Sequence, residues 1–193
     1  KKNKPFFLYL PYYSAHYPLQ AREEDIKKYL SKYSGGWDKL REERFARQKK
    51  MGILPANAKL SPPEDNLYQH LGSDEWCRYD SWDKIPDAEK EDLDREMAVF
   101  AAMIDRMDQN IGRIVKKVQE MGELDHTLIL YLSHNGSCPY KNTIPDVYKN
   151  AKAPLGTAAT YPYLHPEWAC AGNTPWRYYK QYGHQGGAHT QFI

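Results

Sequence analysis

EDLDREMAVFAAMIDRMDQNIGRIVKKVQEMGELDHTLILYLSHNG, residues 91–136, is the stretch that decides the fold. Two different periods meet in it. Leu93, Met97, Phe100, Ile104, Met107, Ile111, Ile114 and Val118 recur at alternating spacings of four and three, which puts them on one face of a helix spanning residues 89–121. Asp105, Arg106, Gln109, Arg113 and Lys116 fall largely on other faces, and Gly122 is a natural C-terminal stop. Such an apolar stripe reads as core packing rather than a cofactor site. The period then changes. Residues 127–132 (TLILYL) form a continuous apolar run that reads as a fully buried strand.

Working outward, residues 5–13 (PFFLYLPYY) are a second short apolar and aromatic run, read as a buried strand whose regular pairing ends at Pro11. Between the two runs, residues 23–50 are charged and helical in pattern, interrupted by Gly35-Gly36. Residues 53–87 are an irregular, proline-punctuated excursion, at the surface or acting as a lid. Residues 133–193 are rich in loops, with Arg177–Tyr182 as a short strand or extended segment. A strand, a helical excursion, a long amphipathic helix and a second buried strand predict an α/β fold with a largely parallel sheet flanked by helices and long loops.

Composition narrows the function classes. With 193 residues the chain can bury one sizeable core. A balance of 27 basic against 25 acidic residues leaves no footprint for nucleic acid, and the basic cluster KLREERFARQKK at residues 39–50 is interrupted by acids. No apolar run reaches the roughly 20 residues of a membrane helix. Three cysteines, none in CxxC spacing, argue against a complete disulfide framework and against a zinc site. The chain opens at KKNKPFFLYL without an initiator Met and stops at TQFI, which reads as a piece of a longer protein.

In an open α/β sheet, ligands bind beyond the carboxyl ends of the strands. Ser14-Ala15-His16 follows the first run and Ser133-His134-Asn135-Gly136 follows the second, while Lys180–Gly187 supplies a third polar group. These residues carry a resemblance. KPFFLYLPYYSAHYPLQA, YSGGWDKLREERFARQKKMGIL, FAAMIDRMDQNIGRIVKKV, DHTLILYLSHNG and NTPWRYYKQYGHQGG, in that order, resemble an arylsulfatase of the alkaline-phosphatase-like superfamily, over essentially the whole chain.

The resemblance implies hydrolysis of a sulfate ester, on a small molecule or a carbohydrate, in an extracytoplasmic compartment (periplasmic, secreted or lysosomal). It implies that His16 contacts the sulfate ester and protonates the departing oxygen, chemistry that suits an acid titrating near neutral pH. It implies that Lys180 binds the sulfate oxygens, where a fixed ammonium stabilises developing charge. His184 is a lesser candidate for lining the pocket. It further implies calcium held in part by an Asp-Asn-Gly motif. Asn135 matches that motif, but His134 stands where the Asp belongs, and an imidazole suits softer metals than calcium. Weak calcium binding or a changed ion is the expectation, or else a His134 that turns away.

Other departures run the same way. Gln185 replaces a usual Glu, His189 a common Arg, Ser137 a frequent Gly and Ala15 a frequent Pro. The family nucleophile, formylglycine made within a C/S-x-P/A-x-R motif, matches none of Cys77, Cys138 and Cys170. It is expected before Lys1, together with further metal ligands, so the isolated chain is expected to be inactive. Two rivals accompany the sulfatase reading: a phosphodiesterase or phosphonate hydrolase of the same superfamily, and a non-catalytic binder of sulfated ligands.

Overall fold

A computed structural model describes residues 4–62, 79–139 and 152–193. Within them the chain forms five α-helices: α1 (Glu23–Ile26), α2 (Gly36–Lys50), α3 (Asp87–Glu120), α4 (Pro166–Gly172) and α5 (Gln185–Ala188). Short 3₁₀ turns lie at Trp82–Lys84 and Leu124–His126. Cys77, residues 63–78 of the 53–87 excursion and residues 140–151 lie outside the described residues.

Helix α3 is the axis. Its 34 residues span roughly 51 Å at about 1.5 Å per residue. Acidic Asp87 and Glu89 sit in its first turn, where the helix dipole favours negative charge. At the other end Gly122 takes a φ of +73°, and the Glu123 N–H donates to the Val118 carbonyl at 3.2 Å, a Schellman closure. The apolar period coincides with this helix, but the stripe is not buried along its length. Leu93, Met97 and Val118 are buried, whereas Ile104 is 40% exposed and Met107, Ile111 and Ile114 are half-buried. Ala98, Val99, Ala102 and Met103 complete the buried face instead. The core therefore sits on the first half of α3.

That core is built on tryptophans. Trp37 of α2, Trp82 and Trp168 of α4 form a triad with ring centroids 4.7, 5.2 and 5.7 Å apart. Each of these aromatic contacts is worth about 0.5–1.5 kcal/mol beyond the area it buries. Their indole donors are satisfied where the rings are deepest: Trp168 Nε1 donates to the Leu93 carbonyl at 3.1 Å and Trp37 Nε1 to the Asp80 carbonyl at 2.9 Å. Three buried acids tie loops and α1 to α3. Asp94 accepts from the Ser31 and Tyr33 N–H groups at 2.7 and 2.8 Å. Glu96 accepts from the His165 N–H at 2.7 Å and meets His165 Nδ1 at 2.6 Å. Asp25 of α1 takes Arg106 and Lys28 at 2.5 and 2.8 Å.

Neither strand reading is shown by the described residues. Among the described residues no strand forms. The one β-type pairing is an isolated antiparallel bridge between Leu132 and Phe192. Residues 5–13 and 127–132 are not buried either. Phe7 is 92% exposed and Leu128 83%. The physical reason is pairing: an extended run is buried only when neighbouring strands take its backbone groups and other layers cover its faces, and the described residues supply neither. Arg177–Tyr182 is likewise a turn-rich loop rather than an extended segment, with Tyr178 and Gln181 at φ of 63° and 82°.

Candidate functional site

The loop that follows residues 5–13 and the loop that follows α4 converge. His16 Nε2 lies 3.3 Å from Lys180 Nζ, across 164 residues of sequence. His16 Nδ1 lies 3.0 Å from the Tyr17 carbonyl oxygen. A carbonyl can only accept, so a proton sits on Nδ1, and Nε2, when it carries none, accepts from the Lys180 ammonium. Both side chains are half-buried, open on one side to solvent.

Lys180 is aimed from its own backbone. Its N–H donates to the Ser137 carbonyl at 3.0 Å, which joins it to the loop after Leu132. Two residues flanking it, Tyr178 and Gln181, hold left-handed φ angles, a conformation that costs non-glycine residues about 1–3 kcal/mol and survives only where the surroundings fix it. Tyr178 is fixed: its buried ring stacks on Tyr182 with centroids 4.2 Å apart and planes 1° apart.

Asn173 staples these loops together. Its Oδ1 accepts from both the N–H and the hydroxyl of Ser137 at 3.1 Å. Its Nδ2 donates to the Tyr178 and Gly186 carbonyls at 3.0 and 2.9 Å. The glycines around it mark backbone-on-backbone packing. A Cβ on Gly136 would lie 1.8 Å from the Gly186 oxygen, and one on Gly186 would lie 2.1 Å from the Tyr178 oxygen. The glycine pair of the HQGG turn is thus needed for close approach, with the Gly136 N–H donating to the Gly187 carbonyl at 3.1 Å.

Two tyrosines flank His16 and two more pack on Tyr17. Tyr17 and Tyr13 have ring centroids 4.3 and 5.6 Å from the imidazole. Tyr163 and Tyr161 lie 5.1 and 6.2 Å from Tyr17. Burial, with the neighbouring Tyr161, Tyr17 and Cys138 adding to it, pushes the Tyr13 phenol above its ordinary value.

The remaining predicted residues make other contacts. His184 caps α5, is exposed, and sets its ring edge-on to Tyr178 at 4.7 Å. His134 is exposed. Asn135 turns its Nδ2 to the Gly136 carbonyl at 2.9 Å, and its own carbonyl accepts from the Ser133 hydroxyl at 2.9 Å. Among the described residues no group of three or more His, Cys, Asp or Glu side chains is placed to hold a metal ion. One imidazole and one amide, without a carboxylate, do not fit calcium. His189 stacks on Trp176, centroids 5.0 Å apart. Sequence reasoning missed Asn173 and Tyr17. Asn173 had a usable signal: an Asn after a helical Ala-Gly end and before Thr-Pro is placed to bond neighbouring backbone.

Comparison with known proteins bears on the whole chain. A family model described as Sulfatase matches residues 1–193. The chain is 35% identical over 196 residues to an uncharacterized sulfatase of Schizosaccharomyces pombe, covering 97% of this chain and 33% of that protein. It is 30% identical over 200 residues to the arylsulfatase of Klebsiella aerogenes, covering 100% of this chain and 40% of that one. The chain therefore spans well under half the length of these curated relatives.

Proposed function

The chain belongs to the sulfatase family, and from that membership we propose that it is a section of a sulfuric ester hydrolase of the arylsulfatase type. The family implies an alkaline-phosphatase-like α/β fold. In that fold the exposed runs 5–13 and 127–132 would be strands of a largely parallel sheet, paired with polypeptide beyond the described residues. Their exposure, with Phe7 at 92% and Leu128 at 83%, supports that reading because such runs need covering.

The observation that carries the proposal is the 3.3 Å approach of His16 Nε2 to Lys180 Nζ. The Lys180 ammonium, and His16 Nε2 once it carries a proton, are two donors on one side of a half-open site, which suits an anionic ester. Lys180 donates to a sulfate oxygen and holds the group against the imidazole. His16, protonated at Nε2, gives that proton to the departing ester oxygen, so that an alcohol or phenol leaves rather than an alkoxide. Its Nδ1 bond to the Tyr17 carbonyl keeps the ring oriented throughout. A formylglycine hydrate supplied from elsewhere in the polypeptide would provide the attacking oxygen. No step is assigned to calcium through His134 and Asn135. Any divalent ion at the sulfate would draw most of its ligands from outside this chain. Family membership also supports an extracytoplasmic or lysosomal setting. No described helix is long and apolar enough to cross a membrane.

One observation favours the second reading, a non-catalytic binder of sulfated ligands: the exposed His134 in place of a carboxylate. The full-length protein decides between them. With p-nitrophenyl sulfate and added calcium, the sulfatase reading expects turnover. Lys180→Ala should lower kcat/KM by about 100-fold. His16→Ala should cost more with poor leaving groups than with p-nitrophenol, whose anion departs unaided. Binding of sulfate esters without turnover selects the second reading. Equal losses on all leaving groups remove His16 as the acid.

A further inference from the structure

The tyrosines around His16 and Tyr17 are not part of the core. The buried core contains Tyr178, Tyr179 and Tyr182, and Tyr29, Tyr33 and Tyr79 pack against it; Tyr13, Tyr17, Tyr161 and Tyr163 belong to neither group. They form their own cluster. Tyr161 and Tyr163 meet edge-on at 5.7 Å, and both tilt by 55–59° against Tyr17. The cluster is held in place by backbone. The Leu19 N–H donates to the Pro162 carbonyl at 3.0 Å, and Gln20 Nε2 to the Thr160 carbonyl at 2.7 Å. These bonds clamp the strip that carries Tyr161 and Tyr163 beside the strip that carries His16 and Tyr17. Tyr17, Tyr161 and Tyr163 are half-buried, as a contact wall requires.

We propose that Tyr17, Tyr161 and Tyr163 form the wall that receives the leaving group and select esters whose departing oxygen is attached to a ring. The inference rests on His16 as the acid. The oxygen that takes the His16 proton is one bond from the rest of the leaving group. That group must therefore lie beside the imidazole, where the Tyr17 ring stands 4.3 Å away. Aromatic rings and the C–H faces of sugars both gain contact energy against tyrosine. A methyl group in the same place touches too little surface to gain it.

Binding to the full-length protein separates this from the catalytic reading. Phenyl sulfate, glucose 3-sulfate and methyl sulfate are titrated by calorimetry into wild type, Tyr161→Ala, Tyr163→Ala and the corresponding Phe variants. A ring-bearing ester should bind wild type about tenfold tighter than methyl sulfate. That ratio should fall toward unity in the Ala variants and persist in the Phe variants, which keep the ring. The arm that loses more, phenyl or glucose, identifies the ring class. Equal binding of all three esters to wild type overturns the wall. So does a loss in the Ala variants that is the same for every ester, which is the signature of a merely structural role. If wild type shows the ring preference and yet hydrolyses no ester, the catalytic reading fails while the wall stands.

Discussion

Removing the Asn173 side chain should loosen Lys180 without touching it. Asn173 makes four hydrogen bonds, two from Ser137 and two to the Tyr178 and Gly186 carbonyls. A net contribution of about 1 kcal/mol each sets an upper figure near 4 kcal/mol, and because the residue is half-buried, water replaces part of it. Asn173→Ala should therefore lower unfolding stability by about 2–3 kcal/mol in urea titration. The same bonds hold the carbonyl of Ser137 against the Lys180 N–H, so kcat/KM for an aryl sulfate should fall as well, by about tenfold or more. Asn173→Asp sharpens the test. It keeps an acceptor for Ser137 but sets a carboxylate oxygen where an amide now donates to two carbonyls, at 3.0 and 2.9 Å. It should be at least as damaging as Ala at neutral pH. A stability loss below about 0.5 kcal/mol for both variants, with unchanged kcat/KM, would refute the staple.

Two further outcomes concern pH. Burial pushes the Asp25 carboxyl up, but hydrogen bonds from Lys28 and Arg106 outweigh it and hold the group below its ordinary 3.8. Its contribution is thus complete above 3.8 and drains away as pH falls through the lower folded value. Asp25→Asn should destabilise at neutral pH and flatten the acid limb of a stability–pH profile, read by thermal melts from neutral to strongly acid buffer. Glu167 behaves oppositely. Burial raises its carboxyl above 4.5, and its Oε2 has no hydrogen-bond partner among the described atoms. The folded chain therefore loses stability as pH rises from 4.5 through the raised value. Glu167→Gln should remove that loss and leave the protein as stable as wild type or more so at neutral pH; a large destabilisation there would contradict it.

How far the sequence reaches is clearest in three places. The helix at 87–120 was legible because its apolar spacing, acidic first turn and stop at Gly122 all act within one or two turns of backbone. Its buried face was not fully legible: Ile104 belongs to the stripe by spacing yet is 40% exposed, because burial depends on which neighbours cover the helix. The runs 5–13 and 127–132 carry strand-like composition, but the partners a strand needs are not among the described residues.

What the amino-acid order determined by itself is local and chemical: the family motifs, the long helix, and the residue types His16, Lys180 and Asn135 at loop positions. Only the tertiary structure decided that His16 and Lys180 meet at 3.3 Å, that Asn173 binds their loops, and that tyrosines from two separated strips pack against one another. The reason is range. Propensity and periodicity act between residues a few positions apart, whereas this site closes over 164 residues and is fixed by carbonyl contacts that no residue pattern encodes.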